Sequence, residues 1–271
     1  MRLMRTLLGF TGFAVVALGL GGQAQAASCG NTAGGFEAWK SEFASEASAR
    51  GVGQRALNAL AGTSYASKTI AADRGQHSFK LSLAQFMEKR GAKTIVSRGK
   101  KHKASNAALF NKIEQRYGVP AGPLIAIWGM ETGFGSFLGN QNTISAVATL
   151  AYDCRRTEFF TEQLYSALQL IDRGTLTSSA QGAAHGEIGQ TQFLPKNVLQ
   201  YGADGDGDGR IDMVNSKADA LASTANFLKG HGWRAGAGYQ QGQANYAAIQ
   251  GWNAAGVYQQ AIALMAADID G

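Results

Sequence analysis

The chain has 271 residues, with 25 Lys and Arg against 19 Asp and Glu, and a formal net charge of +6. This length can bury a substantial core, and 45% hydrophobic with 16% charged residues excludes a chain that is mostly disordered. Two cysteines exclude a disulfide-rich scaffold and a zinc fold built on clustered cysteines. The basic stretch at 89–103 has no interleaved aromatic residues, so we interpret it as a solvated helix face and loop and expect no nucleic-acid partner.

The first 26 residues have the pattern of a secretory signal peptide. Arg2 and Arg5 precede an apolar stretch over 7–20, and residues 24–26 have the small-x-small pattern of a cleavage site. The apolar stretch is too short and too rich in glycine for a membrane span. We therefore expect cleavage after Ala26, no transmembrane segment in the mature chain, and a periplasmic location.

Export makes the two cysteines informative. Cys29 and Cys154 form an even pair in an oxidising compartment, which predicts one disulfide between the mature N-terminus and the middle of the chain. Two buried free thiols are the alternative. Lipid attachment at Cys29 is disfavoured, because the residues before it lack the usual leucine and the apolar stretch ends too far upstream.

Helical periodicity dominates the remaining chain. No sustained alternation of two residues occurs, so the sequence predicts a mainly α fold with few, short strands and a Gly/Ser-rich loop at 174–189. The predicted helices start at Phe36 and stop before Gly51, span Gln54–Ala61, lie around Phe79–Arg90, follow Ala107 as far as Tyr117, open at Pro120, and continue through Ala146–Tyr152, Glu158–Arg173, Lys217–His231, Gln243–Trp252 and Val257–Ala267.

The most informative side chain is Glu131. It lies on the same predicted helical face as three apolar residues, Leu124, Ile127 and Trp128. It also lies in the last turn before Gly133, where the helix dipole disfavours negative charge. Both effects raise the pKa of a carboxyl and retain its proton near neutral pH, as a general acid for glycosidic cleavage requires. A solvated glutamate at a frayed helix end is the alternative.

A second polar stretch surrounds a glycine-rich turn. Gln190 and Gln192 offer donors and acceptors suited to sugar hydroxyls and amides, and His185 is a candidate site residue in the same loop. Glu187 could act as the second carboxylate of an ordinary glycosidase. A polar turn that caps a helix would have the same pattern.

Residues 204–215 have the spacing of an EF-hand calcium loop. Oxygen-bearing side chains occupy positions 1, 3, 5 and 9, and Gly209 occupies position 6. Position 12 is an asparagine where a bidentate glutamate is usual, so we expect a weak, structural calcium site. The predicted ligands are Asp204, Asp206, Asp208, the carbonyl oxygen of Arg210, Asn215 and, through a water, Asp212.

Together these stretches resemble the lytic murein transglycosylases of the murein hydrolase B type, a lysozyme-like family. The shared motifs keep the family's order along most of the mature chain. They are Gly-Phe-x-x-Trp at 35–39, Arg-Tyr-Gly-Val-Pro at 116–120, Trp-Gly-x-Glu-Thr-x-x-Gly at 128–135, Ala-Thr-Leu-Ala-Tyr and an Arg pair at 148–156, Gly-Gln-Thr-Gln-Phe-x-Pro at 189–195, the acidic loop, the run at 225–233, and Trp-Asn at 252–253.

The resemblance implies an N-terminal helical lobe at 27–118 and a lysozyme-like core at 119–271 that includes the loop at 204–215 and the C-terminal helices. It also implies that Glu131 is the sole acid and base, that peptidoglycan is the substrate, and that catalysis needs no cofactor. The product would be a 1,6-anhydro sugar formed without water. Gln192 and Asn253 would hold acetamido or hydroxyl groups, and Phe134 and Trp252 would stack on sugars. We expect a monomer.

Two departures from the family keep alternatives open. Ala183 and Ala184 replace a Ser-aromatic pair whose serine bonds the catalytic acid, so His185 or a water would have to orient Glu131. Glu187 replaces a small residue, which allows a hydrolysing muramidase that uses Glu131 and Glu187. The missing serine also allows a calcium-dependent wall-binding protein without catalytic activity.

Overall fold

The structure is a computed structural model that describes residues 27–75 and 81–271. The predicted signal peptide lies outside the described residues, as does Phe79, where the third predicted helix was expected to begin. Among the helices of the described ranges, none combines the length and the apolar character that a membrane crossing requires.

The described chain is mainly helical, as the sequence predicts. A short 3-10 turn at Ala33–Gly35 precedes the first helix. Two short strands, β1 (Gln141–Asn142) and β2 (Gln181–Gly182), pair antiparallel with Gln141 opposite Gly182. The helices are α1 (Phe36–Ala49), α2 (Gln54–Ala61), α3 (Ser67–Arg74), α4 (Leu83–Lys89), α5 (Ala92–Ser105), α6 (Ala107–Tyr117), α7 (Ala121–Thr132), α8 (Thr143–Tyr152), α9 (Thr157–Asp172), α10 (Pro195–Tyr201), α11 (Lys217–Gly230), α12 (Tyr246–Trp252) and α13 (Gly256–Asp270).

The basic stretch at 89–103 differs from its prediction as a helix face followed by a loop. Most of it forms one continuous helix, α5, which buries Ala92, Ile95 and Gly99 and leaves most of its lysines exposed. A Cβ on Gly99 would lie 2.8 Å from a methyl carbon of Ile125 and 2.9 Å from Ile269. The absence of a side chain at this position therefore allows α5 to pack closely against α7 and α13.

Helix α7 is the centre of the core. Leu124, Ile125 and Ile127 are fully buried. Every residue of α7 except Glu131 is buried, so the helix has apolar residues on all sides instead of one apolar stripe. The helix begins after Pro120 and ends at Gly133, which adopts a left-handed conformation with φ of 58°. Because neighbours enclose it, α7 holds its C-terminal turn in a fixed position.

A disulfide ties the N-terminal segment to the end of α8. Cys29 and Cys154 are bonded, with their Cα atoms 5.1 Å apart, so the prediction is confirmed and the alternative of free thiols is wrong. Beside the disulfide, the Gly30 amide donates to the Tyr152 carbonyl at 2.9 Å, and the Tyr152 hydroxyl donates to the Thr32 carbonyl at 2.9 Å. The bond closes a loop that spans 125 positions, worth about 4–5 kcal/mol in the chain-entropy description.

Candidate active site

The C-terminal turn of α7 is joined to the polar turn at 189–192. The Thr132 hydroxyl donates to the Gln190 carbonyl at 2.6 Å, and the Trp128 indole N–H donates to Gln190 Oε1 at 3.1 Å. The side-chain nitrogen of Gln190, Nε2, donates in turn to the Val214 carbonyl at 3.0 Å. Gln190 was predicted to contact sugar, but its buried side chain instead links three segments of the protein. Each atom of its side-chain amide thus already has a protein partner.

Two donors from the C-terminal helices meet at Glu131. The indole N–H of Trp252, at the end of α12, donates to Glu131 Oε1 at 2.9 Å. The hydroxyl of Tyr258, in the first turn of α13, donates to the same oxygen at 2.8 Å. Glu131 Oε2 accepts no hydrogen bond from the described residues. A proton on the carboxyl therefore belongs on Oε2, where it can be given to a ligand.

The pKa of Glu131 lies above its ordinary value, in the direction that the sequence predicts. Burial is the largest cause and raises the pKa, and the charge of Glu187 raises it further. Hydrogen bonds from Trp252 and Tyr258, and the charge of Arg90, lower the pKa but do not cancel the effect of burial. Burial also raises the pKa of Tyr258 well above its ordinary value, so its phenol remains a neutral donor.

Gln192 adopts an unusual backbone conformation at the end of the turn. Its φ is 56°, a left-handed value that is uncommon outside glycine. Its side-chain nitrogen donates to the Gly189 carbonyl at 2.8 Å and points toward the Leu138 carbonyl at 3.4 Å. Because these carbonyls fix which end of the amide is nitrogen, Oε1 is the remaining acceptor, and it takes no hydrogen bond from the described residues.

The two aromatic residues predicted to stack on sugars are both engaged by protein. The Phe134 ring packs against His102, with centroids 4.6 Å apart, and the Arg98 guanidinium lies 4.7 Å from its centre. The Trp252 ring packs edge-on against Phe193 and Phe227 at 5.3 and 5.1 Å. Phe134 thus belongs to a side-chain cluster, and the closest contact of Trp252 in the site is its hydrogen bond to Glu131.

Asn253 follows Trp252 in an extended conformation. Its Oδ1 accepts from the Ala255 amide at 2.9 Å, and its carbonyl accepts from Gln259 Nε2 at 2.8 Å. The side-chain nitrogen donates to none of the described residues. Asn253 is therefore held in place with its amide donor still available, next to the Trp252 indole that contacts Glu131.

His185 does not orient Glu131. Its Nδ1 lies 3.1 Å from Glu187 Oε1, its backbone amide donates to Glu187 Oε2 at 2.9 Å, and its Nε2 lies 3.8 Å from buried Asp73. Burial raises the pKa of Glu187, but the bonds and charge of His185 outweigh this effect and lower it overall. Both oxygens of Glu187 are thus occupied, which suits a carboxylate and not a second proton donor.

Tyr258 was not predicted from the sequence. The family motif offers no signal for it, because it is 127 positions from Glu131. A weaker signal does exist: Tyr258 lies on the same apolar face of the last helix as Ala261, Ile262 and Met265, all of which are buried. A phenol on a buried face needs a hydrogen-bond partner, so its position predicts a polar contact without naming Glu131.

The loop at 204–215 brings only part of its predicted ligand set together. Carboxylate oxygens of Asp204, Asp206 and Asp219 lie within 4.8 Å of one another. Asp219, in the first turn of α11, was not a predicted ligand. Both oxygens of Asp212 accept from Asn215, and Oδ1 also accepts from the Val214 amide.

The remaining predicted ligands lie at the exposed edge of this loop. Asp208 Oδ1 accepts from the backbone amide of Arg210 at 2.8 Å, and the Arg210 side chain is 84% exposed. Backbone amides of Gly209 and Gly207 lower the pKa of Asp204, which remains ionised. The loop is therefore a cluster of charged oxygens with the donor chemistry that calcium prefers.

Comparison with known proteins defines the class. The transglycosylase SLT domain family matches residues 35–244, and the chain belongs to this family. It is 36% identical over 129 residues to membrane-bound lytic murein transglycosylase B of Escherichia coli (strain K12); the match covers 47% of this chain and only 36% of that protein's length.

Solved structures show the same fold. SltB3 from Pseudomonas aeruginosa, in complex with NAG-anhNAM-pentapeptide, superposes with a TM-score of 0.81 at 31% identity, over 87% of this chain and 80% of that one. The Escherichia coli lytic transglycosylase Slt35, in complex with calcium, superposes with a TM-score of 0.74 at 20% identity, over 85% of this chain and 92% of that one. The mainly helical, lysozyme-like fold predicted from the sequence is confirmed.

Proposed function

We propose that this protein is a lytic transglycosylase that cleaves the β-1,4 bond between N-acetylmuramic acid and N-acetylglucosamine in peptidoglycan. The observation that carries this proposal is the Glu131 centre: one buried carboxyl with a raised pKa, and two neutral donors on one of its oxygens. This is the arrangement that a single acid and base needs, because it retains the proton and also stabilises the carboxylate formed when the proton leaves.

The reaction needs no water. Glu131 gives the proton on Oε2 to the glycosidic oxygen as the bond to C1 breaks, and the Trp252 and Tyr258 donors stabilise the new carboxylate. That carboxylate then takes the proton of the muramic acid C6 hydroxyl, whose oxygen bonds to C1. The products are a free hydroxyl on one fragment and a 1,6-anhydro ring on the other. Because the attacking hydroxyl belongs to the bound sugar, its effective concentration exceeds that of water.

The environment of Glu187 argues against a hydrolysing muramidase. A hydrolysis with two carboxylates requires the second one to attack C1 or to activate a water. The oxygens of Glu187 instead accept two hydrogen bonds from His185, and its pKa is lowered. We therefore assign Glu187 to the support of the loop, and the substrate contacts to Gln192 Oε1 and Asn253 Nδ2.

We also propose that calcium binds the loop at 204–215 through Asp204, Asp206 and Asp219, with Asp208, Asp212, Asn215 and the Arg210 carbonyl as further oxygens. Loops of this composition bind calcium through six to eight oxygens. The ion would stabilise the turn that leads into α11 and would take no part in bond cleavage. Catalysis itself needs no cofactor.

The same proposal includes the cellular setting. Cleavage after Ala26 and export to the periplasm would place the enzyme with its substrate, and the disulfide between Cys29 and Cys154 suits an oxidising compartment. The two-lobe division at residue 118 and the monomeric state belong to this proposal as well.

The experiment is a mass analysis of the products released from purified murein. Anhydro ends, lighter by one water than reducing ends, are expected from the wild-type protein and not from Glu131→Gln. Glu162→Gln is the matched control, because Glu162 is exposed and pairs with Lys196. Reducing ends from the wild-type protein, or anhydro ends from Glu131→Gln, would contradict the proposal.

A further inference from the structure

Phe137 is unusually exposed for its size. Its side chain is 79% exposed, compared with 45% for Phe159 and 43% for Leu264, the other exposed large hydrophobic side chains of the described ranges. It lies six positions after Glu131, in the loop that joins α7 to β1. A large apolar ring held in water has a solvation cost, which binding of an apolar surface would remove.

The loop that carries Phe137 is anchored on both sides. The Phe137 amide donates to the Thr132 carbonyl at 3.0 Å, and the Ser136 hydroxyl donates to the Gly133 carbonyl at 2.9 Å. Further along, a Cβ on Gly139 would lie 2.1 Å from the Gly182 carbonyl oxygen, so the loop packs tightly against β2. The ring is therefore presented outward by a fixed backbone.

The ring lies beside the end of the helix that carries Glu131. A Cβ on Gly133 would lie 3.4 Å from Phe137 Cδ2, so the ring lies over the residue that ends the Glu131 helix. The next two residues, Leu138 and Gly139, line a cavity of about 680 Å³ whose other walls include the end of α9 and part of the acidic loop. The Leu138 carbonyl is also the one that the Gln192 amide approaches. Phe137 thus lies between the end of α7 and the two residues that line this cavity.

We propose that Phe137 is a stacking platform for a hexopyranose ring of the glycan strand, in a subsite beside Gly133 at the C-terminal end of α7. The inference rests on the proposed function and names a binding residue for it. The C–H face of a pyranose is apolar and slightly positive, and it suits the negative face of an aromatic ring. The Ser136 hydroxyl oxygen precedes Phe137 in the chain, and the Leu138 carbonyl, which Gln192 Nε2 approaches at 3.4 Å, follows it.

This assignment also explains a mismatch between sequence and structure. The motif places the stacking ring at Phe134, but Arg98, His102 and Trp128 surround that ring. Phe137, three positions later in the same loop, has the exposed ring that stacking requires. A protein partner is the competing occupant, and the direct glycan-binding measurement below separates it from a sugar.

The test compares Phe137→Ala and Phe137→Trp with Phe159→Ala, an exposed phenylalanine on α9 that serves as the control. With peptide-free murein glycan strands, Phe137→Ala should raise KM about tenfold and change kcat little, since a stacking contact is uniform binding energy. Phe137→Trp and Phe159→Ala should stay within about twofold of wild type. All three should remain folded at the assay temperature, because Phe137 and Phe159 are 79% and 45% exposed.

Binding is measured separately from chemistry. In the Glu131→Gln background, Phe137→Ala should weaken binding of the same glycan strands about tenfold, and Phe137→Trp should retain it. Wild-type binding and KM in Phe137→Ala would overturn the platform and favour a protein partner. If the wild-type protein releases no anhydro product but the binding loss remains, the proposed activity fails and the platform stands.

Discussion

The Glu131 centre and the loop at 204–215 both hold acidic side chains, but the two environments shift carboxyl pKa values in opposite directions. Around Glu131, burial raises the pKa and the donors converge on one oxygen. In the loop, backbone amides of Gly209 and Gly207 lower the pKa of Asp204, and hydrogen bonds from Asn215 and Val214 outweigh burial and lower that of Asp212. The first environment favours a protonated carboxyl, and the second favours an ionised one.

The two regions also differ in how the chain builds them. The loop is one continuous segment plus Asp219, which is in the first turn of the next helix. The Glu131 centre unites the end of α7 with α12 and α13, and Glu131 and Tyr258 are 127 positions apart. A contiguous site can be recognised from spacing, whereas a site made by packing requires the fold.

The largest expected effect separates the regions by activity. Glu131→Gln should lower the rate of product release about 10³-fold, because the general acid is lost while the shape of the side chain is kept. Release of soluble anhydro fragments measures this rate. Asp204→Asn, the matched change in the loop, should leave the rate within about twofold at a temperature where both variants are folded. Equal losses in the two variants would erase the distinction.

Removal of the Tyr258 hydroxyl tests the role of the hydrogen-bond donors at Glu131. Tyr258→Phe should lower kcat about tenfold to a hundredfold, because the carboxylate formed during the reaction loses a hydrogen bond. The acid must be protonated, so activity falls as pH rises through the pKa of Glu131. Tyr258 lowers that pKa, and its removal should therefore move the alkaline limb to higher pH.

Tyr246→Phe is the control for this variant, since Tyr246 also lies in a C-terminal helix and does not contact Glu131. It should keep both kcat and the pH profile. An alkaline limb that moves to lower pH in Tyr258→Phe would contradict the assigned sign.

Calcium should act on stability and not on chemistry. At a concentration about a hundredfold above the dissociation constant, it should raise Tm by about 5–10 °C. Asp204→Asn or Asp206→Asn should abolish the increase, and Asp268→Asn, on an exposed part of α13, should retain it. Thermal unfolding with and without a chelator measures the effect. A calcium-independent Tm in the wild-type protein would remove the ion from the proposal.

The smallest effect is a pH-dependent difference in stability. Because the folded-state pKa of Glu131 is raised, its contribution to stability is complete below the unfolded-state pKa and is lost as pH rises through the folded-state value. Glu131→Gln has no such loss. The Tm of the variant relative to wild type should therefore increase from about pH 4 to about pH 8. Glu162→Gln should show no comparable trend, and a difference that falls with pH would be inconsistent with a buried acid.

The sequence was most informative where the relevant residues lie close together in one short segment. It predicted the helix that carries Glu131, the direction of its pKa shift, the acidic loop and the cysteine pair. It predicted Gln190 as a sugar contact, although the packing of Trp128 and Val214 determines where that amide points. It also gave His185 an orienting role, which Trp252 and Tyr258 hold instead.

Long-range packing explains the other differences. The helix at 92–105 has few apolar residues, and its buried stripe becomes meaningful only against Ile125 and Ile269. The exposure of Phe137 and the enclosure of Phe134 differ although both are phenylalanines in one loop. Their local sequence cannot distinguish them, because Phe134 packs against Arg98 and His102 of α5 as well as Trp128 of α7.

The most direct measurement is the titration of Glu131 itself. A carbon-13 NMR titration of the glutamate carboxyls, with the Glu131 resonance assigned by its absence in Glu131→Gln, gives its pKa in the folded protein. We expect a midpoint above the ordinary value of 4.5, because burial outweighs the donors. A midpoint at or below 4.5 would mean that the carboxyl does not retain its proton, and it would contradict the assignment of Glu131 as the acid.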